Sequence, residues 1–148
     1  MSRLMKMGAA LLLGGTTYAF ALTADEVKSH VLEGKAYCDK VGVAKCVEEI
    51  GKKGGMFDKG DLYIWANDFE GVITAHPKKP IAGKNLYRYK DRAGNQLFKN
   101  FIDKVKADGQ GWVDYVWAHP TTGKQTPKSS FVIGIGENQL IGAGYYKQ

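Results

Sequence analysis

The side chains from which this 148-residue chain could build chemistry are few: three histidines, two cysteines, and tyrosines, tryptophans and cations near strand ends. His30, His76 and His119 lie far apart, and none has the HxxxH or HxH spacing that sets two imidazoles on one face for a metal ion. His76 and His119 each precede a proline, a context that suits turns. There is no GxSxG nucleophile elbow, and neither cysteine stands beside a histidine in a nucleophile pattern. Gly134, Gly136, Gly142 and Gly144 fall in or between strand-like runs, not between a strand and a helix, so they form no phosphate loop. No catalytic residue, metal or cofactor is assigned, and an exported enzyme is the remotest reading.

A binding site is better supported. Along Leu62 to Asn67 the residues alternate, Leu62, Ile64 and Ala66 on one face of a strand and Tyr63, Trp65 and Asn67 on the other. A second strand, Trp112 to Trp117, sets Val113, Tyr115 and Trp117 on one face against Asp114 and Val116. Arg88, Lys128 and His76 are expected on loops bordering these aromatic faces. Together they describe an apolar box with a positive end, which suits a small carboxylate: cation and tyrosine hydroxyls meet the oxygens and tryptophans hold the short alkyl part. Two plainer readings stand beside it. The aromatic faces can be core beneath a helix, and each cation taken singly can be a solvated surface charge.

These residues need a scaffold, and the chain supplies one centred on Gly60 to Pro77, read as a hairpin with its turn at Asp68 to Gly71 and its end at His76. Upstream, Thr23-Ala24-Asp25-Glu26 has the form of a capping box. The stripe Val27, Val31, Cys38 and Val41 predicts a helix ended by Gly42, and Val43, Val47 and Ile50 predict a second one closed by Gly51. Cys38 and Cys46 flank the Gly42 break; in an oxidising compartment they staple the two helices, and the alternatives are two reduced core thiols or a reactive pair. Downstream, Lys84 to Asn95 reads as a polar loop, either a lid carrying Tyr87, Arg88, Tyr89 and Arg92 or a solvated connection. Leu97, Phe98, Phe101, Ile102 and Val105 predict a core-packing helix on which no chemistry is expected. A polar loop from His119 to Lys128 and strands over Ser129 to Ile135 and Gln139 to Tyr146 complete the order. The expected class is α+β, with a mostly antiparallel sheet of about five strands and helices on one side.

Composition sets the compartment and excludes some partners. Hydrophobic content of 44% and charged content of 24% are those of a folded domain. Arg3 and Lys6 ahead of Leu11 to Leu13, with Ala19-Phe20-Ala21 behind, form a signal-peptide pattern over residues 1–21. The formal charge of +6 then drops by those two cations to +4, with the remaining lysines scattered among acids, so nucleic acid is not an expected partner. The stretch Met7 to Leu22 is interrupted by glycine and threonine and is short for a span needing about 20 apolar residues. The protein is expected in the periplasm, without a membrane span once the signal is cleaved.

The segments YIWAND (Tyr63 to Asp68), GVITAHP (Gly71 to Pro77), GKNL (Gly83 to Leu86), DRAGNQLF (Asp91 to Phe98), GQGWVDYVWAHP (Gly109 to Pro120), PKSSF (Pro127 to Phe131) and the closing GAGYY occur in that order. As a set they resemble the extracytoplasmic single Cache sensor domain of bacterial chemoreceptors and sensor kinases. The resemblance implies a PAS-like fold, an antiparallel sheet flanked by helices with a small-molecule pocket between sheet and covering loops, over residues 60–148 behind an N-terminal helical segment at 22–59. It also implies a short organic acid or similar metabolite as ligand, and Tyr63, Trp65, His76, Tyr115, Trp117 and Lys128 as pocket residues, with Arg88 on a more variable loop. A receptor's Cache domain usually sits between two membrane helices. This chain resembles a freestanding exported form that feeds a membrane chemoreceptor or sensor kinase, or else an interaction module with a vestigial pocket.

Overall fold

Thr23 starts the first helix as its motif predicts: its hydroxyl accepts the Glu26 N–H, and Glu26 reaches back to the Thr23 N–H. In the computed structural model, which describes residues 21–147, this helix is α1 (Ala24–Val41) and the next is α2 (Val43–Ile50). The signal-peptide segment lies, all but its last residue, outside the described residues. Gly42, at a φ of 90°, makes the break between the helices in a conformation that side-chain-bearing residues rarely adopt. The chain turns back there, and Cys38 and Cys46 are joined in a disulfide.

The strands are β1 (Asp58–Lys59), β2 (Leu62–Tyr63), β3 (Trp65–Asp68), β4 (Ile73–Ala75), β5 (Gln110–Ala118), β6 (Gln125–Ile135) and β7 (Gln139–Tyr146), with α3 (Leu97–Asp108) between β4 and β5. Five of them form one antiparallel sheet in the order β4-β3-β7-β6-β5. The expected central hairpin is present as β3 and β4, with a register shift at Ala66 and Asn67. The short β1–β2 ladder was not foreseen in the glycine-rich approach to it.

Two expectations are corrected. The helices do not share one side of the sheet. Val31 and Ile50 of α1 and α2 pack with Ile64, Ile133 and Ile141, whereas Phe101 and Val105 of α3 pack with Trp65, Trp117, Val132 and Leu140 on the opposite face. The cause lies in the strands, where successive residues such as Trp65 and Ala66, or Val132 and Ile133, are both buried, so each face needs its own cover. The polar loop after β5 is also shorter than expected, since β6 begins at Gln125 and Lys128 lies within it, opposite Tyr115 of β5 and Tyr146 of β7.

The connection from Lys84 to Asn95 is neither a free lid nor a fully solvated loop. Leu86 and Tyr87 pack on the α3 side of the core, while Arg88 and Tyr89 stand in solvent. Asp91 pins the far end: its carboxylate accepts the N–H groups of Ala93, Asn95 and, from the outer edge of β5, Val116.

Candidate functional site

On the α3 face of the sheet, Tyr115, Lys128 and Tyr146 form a cross-strand row over β5, β6 and β7. Tyr63 and Trp65 come in from β2 and β3, and Trp117 stands two residues beyond Tyr115. The Lys128 side chain lies among these rings with 1% of its surface exposed. Its Nζ is 4.5 Å from the centroid of Tyr63, 4.8 Å from Tyr146 and 5.9 Å from both Trp65 and Tyr115. It donates one hydrogen bond, to the Tyr63 hydroxyl at 3.2 Å. Among the described residues no carboxylate lies within ion-pair distance of it. Aromatic faces attract a cation, but they do not neutralise it.

Two glycines of β7 make this arrangement possible. A Cβ on Gly142 would come within 2.5 Å of the Trp65 ring, and one on Gly144 would meet Ser130 Oγ and come within 2.9 Å of Lys128 Cε. The bare backbone thus forms a trough in which the indole and the lysine stem lie. The polar edges of the rings are tied elsewhere: Trp65 Nε1–H donates to Asn67 Oδ1, the Tyr115 hydroxyl is 2.7 Å from Ser130 Oγ, and the Tyr146 hydroxyl donates to the Ala118 carbonyl. Burial, with the neighbouring Tyr63, pushes the Tyr115 and Tyr146 hydroxyls well above the usual phenol range, so both stay protonated.

His76 closes the row at the end of β4. Its Nδ1 accepts the backbone N–H groups of Lys78 and Lys79 at 3.1 and 3.0 Å, which requires an unprotonated Nδ1 and leaves the ring proton on Nε2. Burial first, then the charges of Lys128 and Lys79, bring its pKa down to about 3. The neutral ring packs at a tilt against Tyr63 and Trp117, with centroids 5.2 and 6.1 Å away.

Six of the seven residues singled out from sequence, Tyr63, Trp65, His76, Tyr115, Trp117 and Lys128, therefore line one cavity. The seventh, Arg88, is not brought to it: it is exposed and borders a separate surface hollow with Glu70, Asn85 and Tyr89. A long polar loop carries no periodicity from which the direction of one arginine could be read. Leu97, Phe98 and Phe101 of α3 supply the remaining wall, so the helix assigned to core packing alone also shapes the site. Tyr146, part of the lysine box, was missed as well; the Gly-x-Gly spacing just before it in β7 was the available signal. The cavity holds about 10 Å³, roughly the space of one water molecule. Outside it, sharing Tyr63 and Trp117 as walls, is an open cleft of about 460 Å³.

The six candidates do not include a metal site, and among the described residues no group of three or more His, Cys, Asp or Glu side chains is close enough to hold an ion. Nor is any described helix long and apolar enough to cross a membrane.

A Cache domain family model matches residues 17–148 of the chain. Over 88 residues, 58% of this chain, the sequence is 31% identical to the sensor histidine kinase MctS of Rhizobium johnstonii, of which the match spans 19%. The fold is similar to that of a solved methyl-accepting chemotaxis protein from Vibrio parahaemolyticus, at a TM-score of 0.71 and 25% identity, covering 82% of this chain and 86% of that one. A Cache chemosensory domain whose structure is described as the basis for carboxylic acid recognition is similar at a TM-score of 0.63 and 25% identity, with coverage of 81% and 86%.

Proposed function

This chain belongs to the Cache domain family, with its α+β, PAS-like fold, and from that premise we propose that it binds a short organic acid in the cavity around Lys128. One observation carries the reading. A lysine ammonium is enclosed by four aromatic rings and hydrogen-bonded to one tyrosine hydroxyl, with no carboxylate at ion-pair distance among the described residues. A buried charge without a counter-charge is costly, and a carboxylate is the small anion that can accept from Lys128 while its alkyl part rests on Trp65, Trp117 and Phe101. His76, which lines the same cavity and carries its ring proton on Nε2, is the second donor this reading assigns to it. The carboxylic acid recognition described for the similar Cache chemosensory domain supports this ligand class.

Capture by such a site is sensing, not turnover, and Cache sensor domains are sensing modules. The signal-peptide pattern and the Cys38–Cys46 disulfide support a periplasmic location. The likeness to a sensor histidine kinase supports a membrane receptor or kinase as the partner that reads the bound state.

The cavity volume favours a second reading. At about 10 Å³ the site is filled by its own side chains, as it would be in a docking module whose pocket is vestigial. Under the binding reading, the ligand selects a form in which α3 and the His76 turn stand slightly further from the sheet. A thermal-shift screen of the purified protein against short carboxylates, amino acids, amines and urea separates the two. A carboxylate at about 100 times its dissociation constant adds about 2.7 kcal/mol and moves the midpoint by several degrees. A folded protein that no carboxylate stabilises leaves the docking module as the reading.

A further inference from the structure

The cleft outside the cavity carries more positive charge than its own acids balance. Lys53, Lys78 and Lys79 line it together with Asp61 and His119. Lys78 is committed to Asp58, its Nζ 2.7 Å from Oδ1, in a contact without hydrogen-bond alignment. Asp61 is likewise engaged, accepting the Thr121 hydroxyl at 3.0 Å and standing 3.8 Å from His119 Nε2. Lys53 and Lys79 make no ion pair among the described residues, and Lys79 Nζ lies 5.2 Å over the ring of Trp117. Trp117 and Tyr63 form a wall shared by cleft and cavity, so Lys53 and Lys79 line the solvent side of the wall behind which Lys128 is buried. A concave surface with low-dielectric walls and an excess of one sign of charge, here three lysines against Asp61 and the Lys78 partner Asp58, concentrates counter-ions.

We propose that this cleft is an anion-collecting vestibule, a second and readily exchanging anion site in which Lys53 and Lys79 gather small anions over Trp117. Its place as the antechamber of the inner cavity rests on the function proposed above. Its capture of anions does not, and can be measured without any ligand of that cavity.

The probe is iodide, with acrylamide as its neutral counterpart, quenching tryptophan fluorescence at constant ionic strength. Trp112 is half-exposed on the other side of the molecule, so a Trp112→Phe background leaves two emitters, Trp117 beside the cleft and the buried Trp65, which does not line it. In that background iodide quenches more strongly relative to acrylamide than its charge-blind access allows. The iodide-to-acrylamide ratio falls about twofold or more in Lys53→Gln and in Lys79→Gln, an effect that added salt erases. Lys40→Gln, an exposed lysine of α1 removed from the cleft, leaves the ratio unchanged. The proposal is overturned if Lys53→Gln and Lys79→Gln leave the ratio unchanged, if Lys40→Gln lowers it equally, or if neither quencher reaches Trp117. A falling ratio in a protein that no carboxylate stabilises would uphold the vestibule and remove the inner-site reading.

Discussion

At the scale of the residue, Lys128 decides between a binding site and ordinary core. Replacing it with methionine keeps the stem in the trough beside Gly144 and removes a buried cation that has no counter-charge among the described residues. Lys128→Met should therefore keep or raise the unfolding midpoint while abolishing the shift produced by a carboxylate. A variant that still responds to the ligand as the wild type does would show that the anion sits elsewhere. The alternation that put Tyr63 and Trp65 on one face was legible because a strand has a period of two. The position of Lys128 within a strand was not. Pro127 before it signals a loop, yet its carbonyl still accepts the Lys147 N–H at 2.8 Å, so its missing N–H removes only the return bond at the very end of the β6–β7 ladder.

At the scale of the element, Gly142 and Gly144 of β7 face the site while the α1–α2 pair covers the opposite face of the sheet, which makes their roles separable. Gly144→Ala drives a methyl group into Ser130 and the Lys128 stem, and overpacking of this kind costs about 1–3 kcal/mol. Chemical denaturation should show that loss, and the same variant should bind a carboxylate more weakly because the lysine is displaced. The Cys38–Cys46 disulfide, eight residues apart, holds α1 and α2 on the face away from the site. Reducing it restores the freedom of a short loop to the unfolded chain, worth about 2.5 kcal/mol in the chain-entropy description. The midpoint should fall by several degrees while the carboxylate affinity of the folded protein stays within a factor of two or so. The ends of α1 and α2 could be read from Thr23, Gly42 and Gly51, since capping chemistry is local. The side of the sheet each helix covers could not, because an apolar stripe states only that it must be covered.

At the scale of the whole molecule, acid stability reports the burial of the site. Folded His76 stays neutral down to about pH 3, whereas the unfolded chain takes up that proton near pH 6.5. Between those values the unfolded state binds more protons. Stability from this group is therefore complete above pH 6.5 and declines on acidification, by at most about 1.4 kcal/mol per pH unit and by less for a ring that keeps some contact with water. His30, which burial also pushes down, acts in the same direction. Burial raises the carboxyls of Asp58 and Asp91, but the hydrogen bonds they accept and, for Asp58, the Lys78 ammonium outweigh it and hold both below the usual range, so their contribution is lost only as the pH falls below about 4. Unfolding midpoints between pH 7 and 4.5 should thus decline in the wild type and decline less in His76→Asn, whose amide oxygen can still accept the Lys78 and Lys79 N–H groups. Equal slopes would show that His76 titrates normally in the fold.

What the sequence determined by itself was local or periodic. The capping box, the breaks at Gly42 and Gly51, the aromatic faces of β3 and β5, and the ordered segments that place the chain in the Cache family all depend on neighbours within a few residues or on a repeat of two or 3.6. What the tertiary structure alone decided depends on residues far apart in the chain. Tyr63, Lys128 and Tyr146 meet because β7 inserts between β3 and β6. Arg88 is left in solvent because Leu86 and Tyr87 take the buried side of its loop and Asp91 fixes the loop's far end to β5. α3 becomes a wall of the site because both faces of the sheet are apolar and the first is already covered by α1 and α2. Residue types set which groups must be buried or paired; the order of the strands set which partners they found.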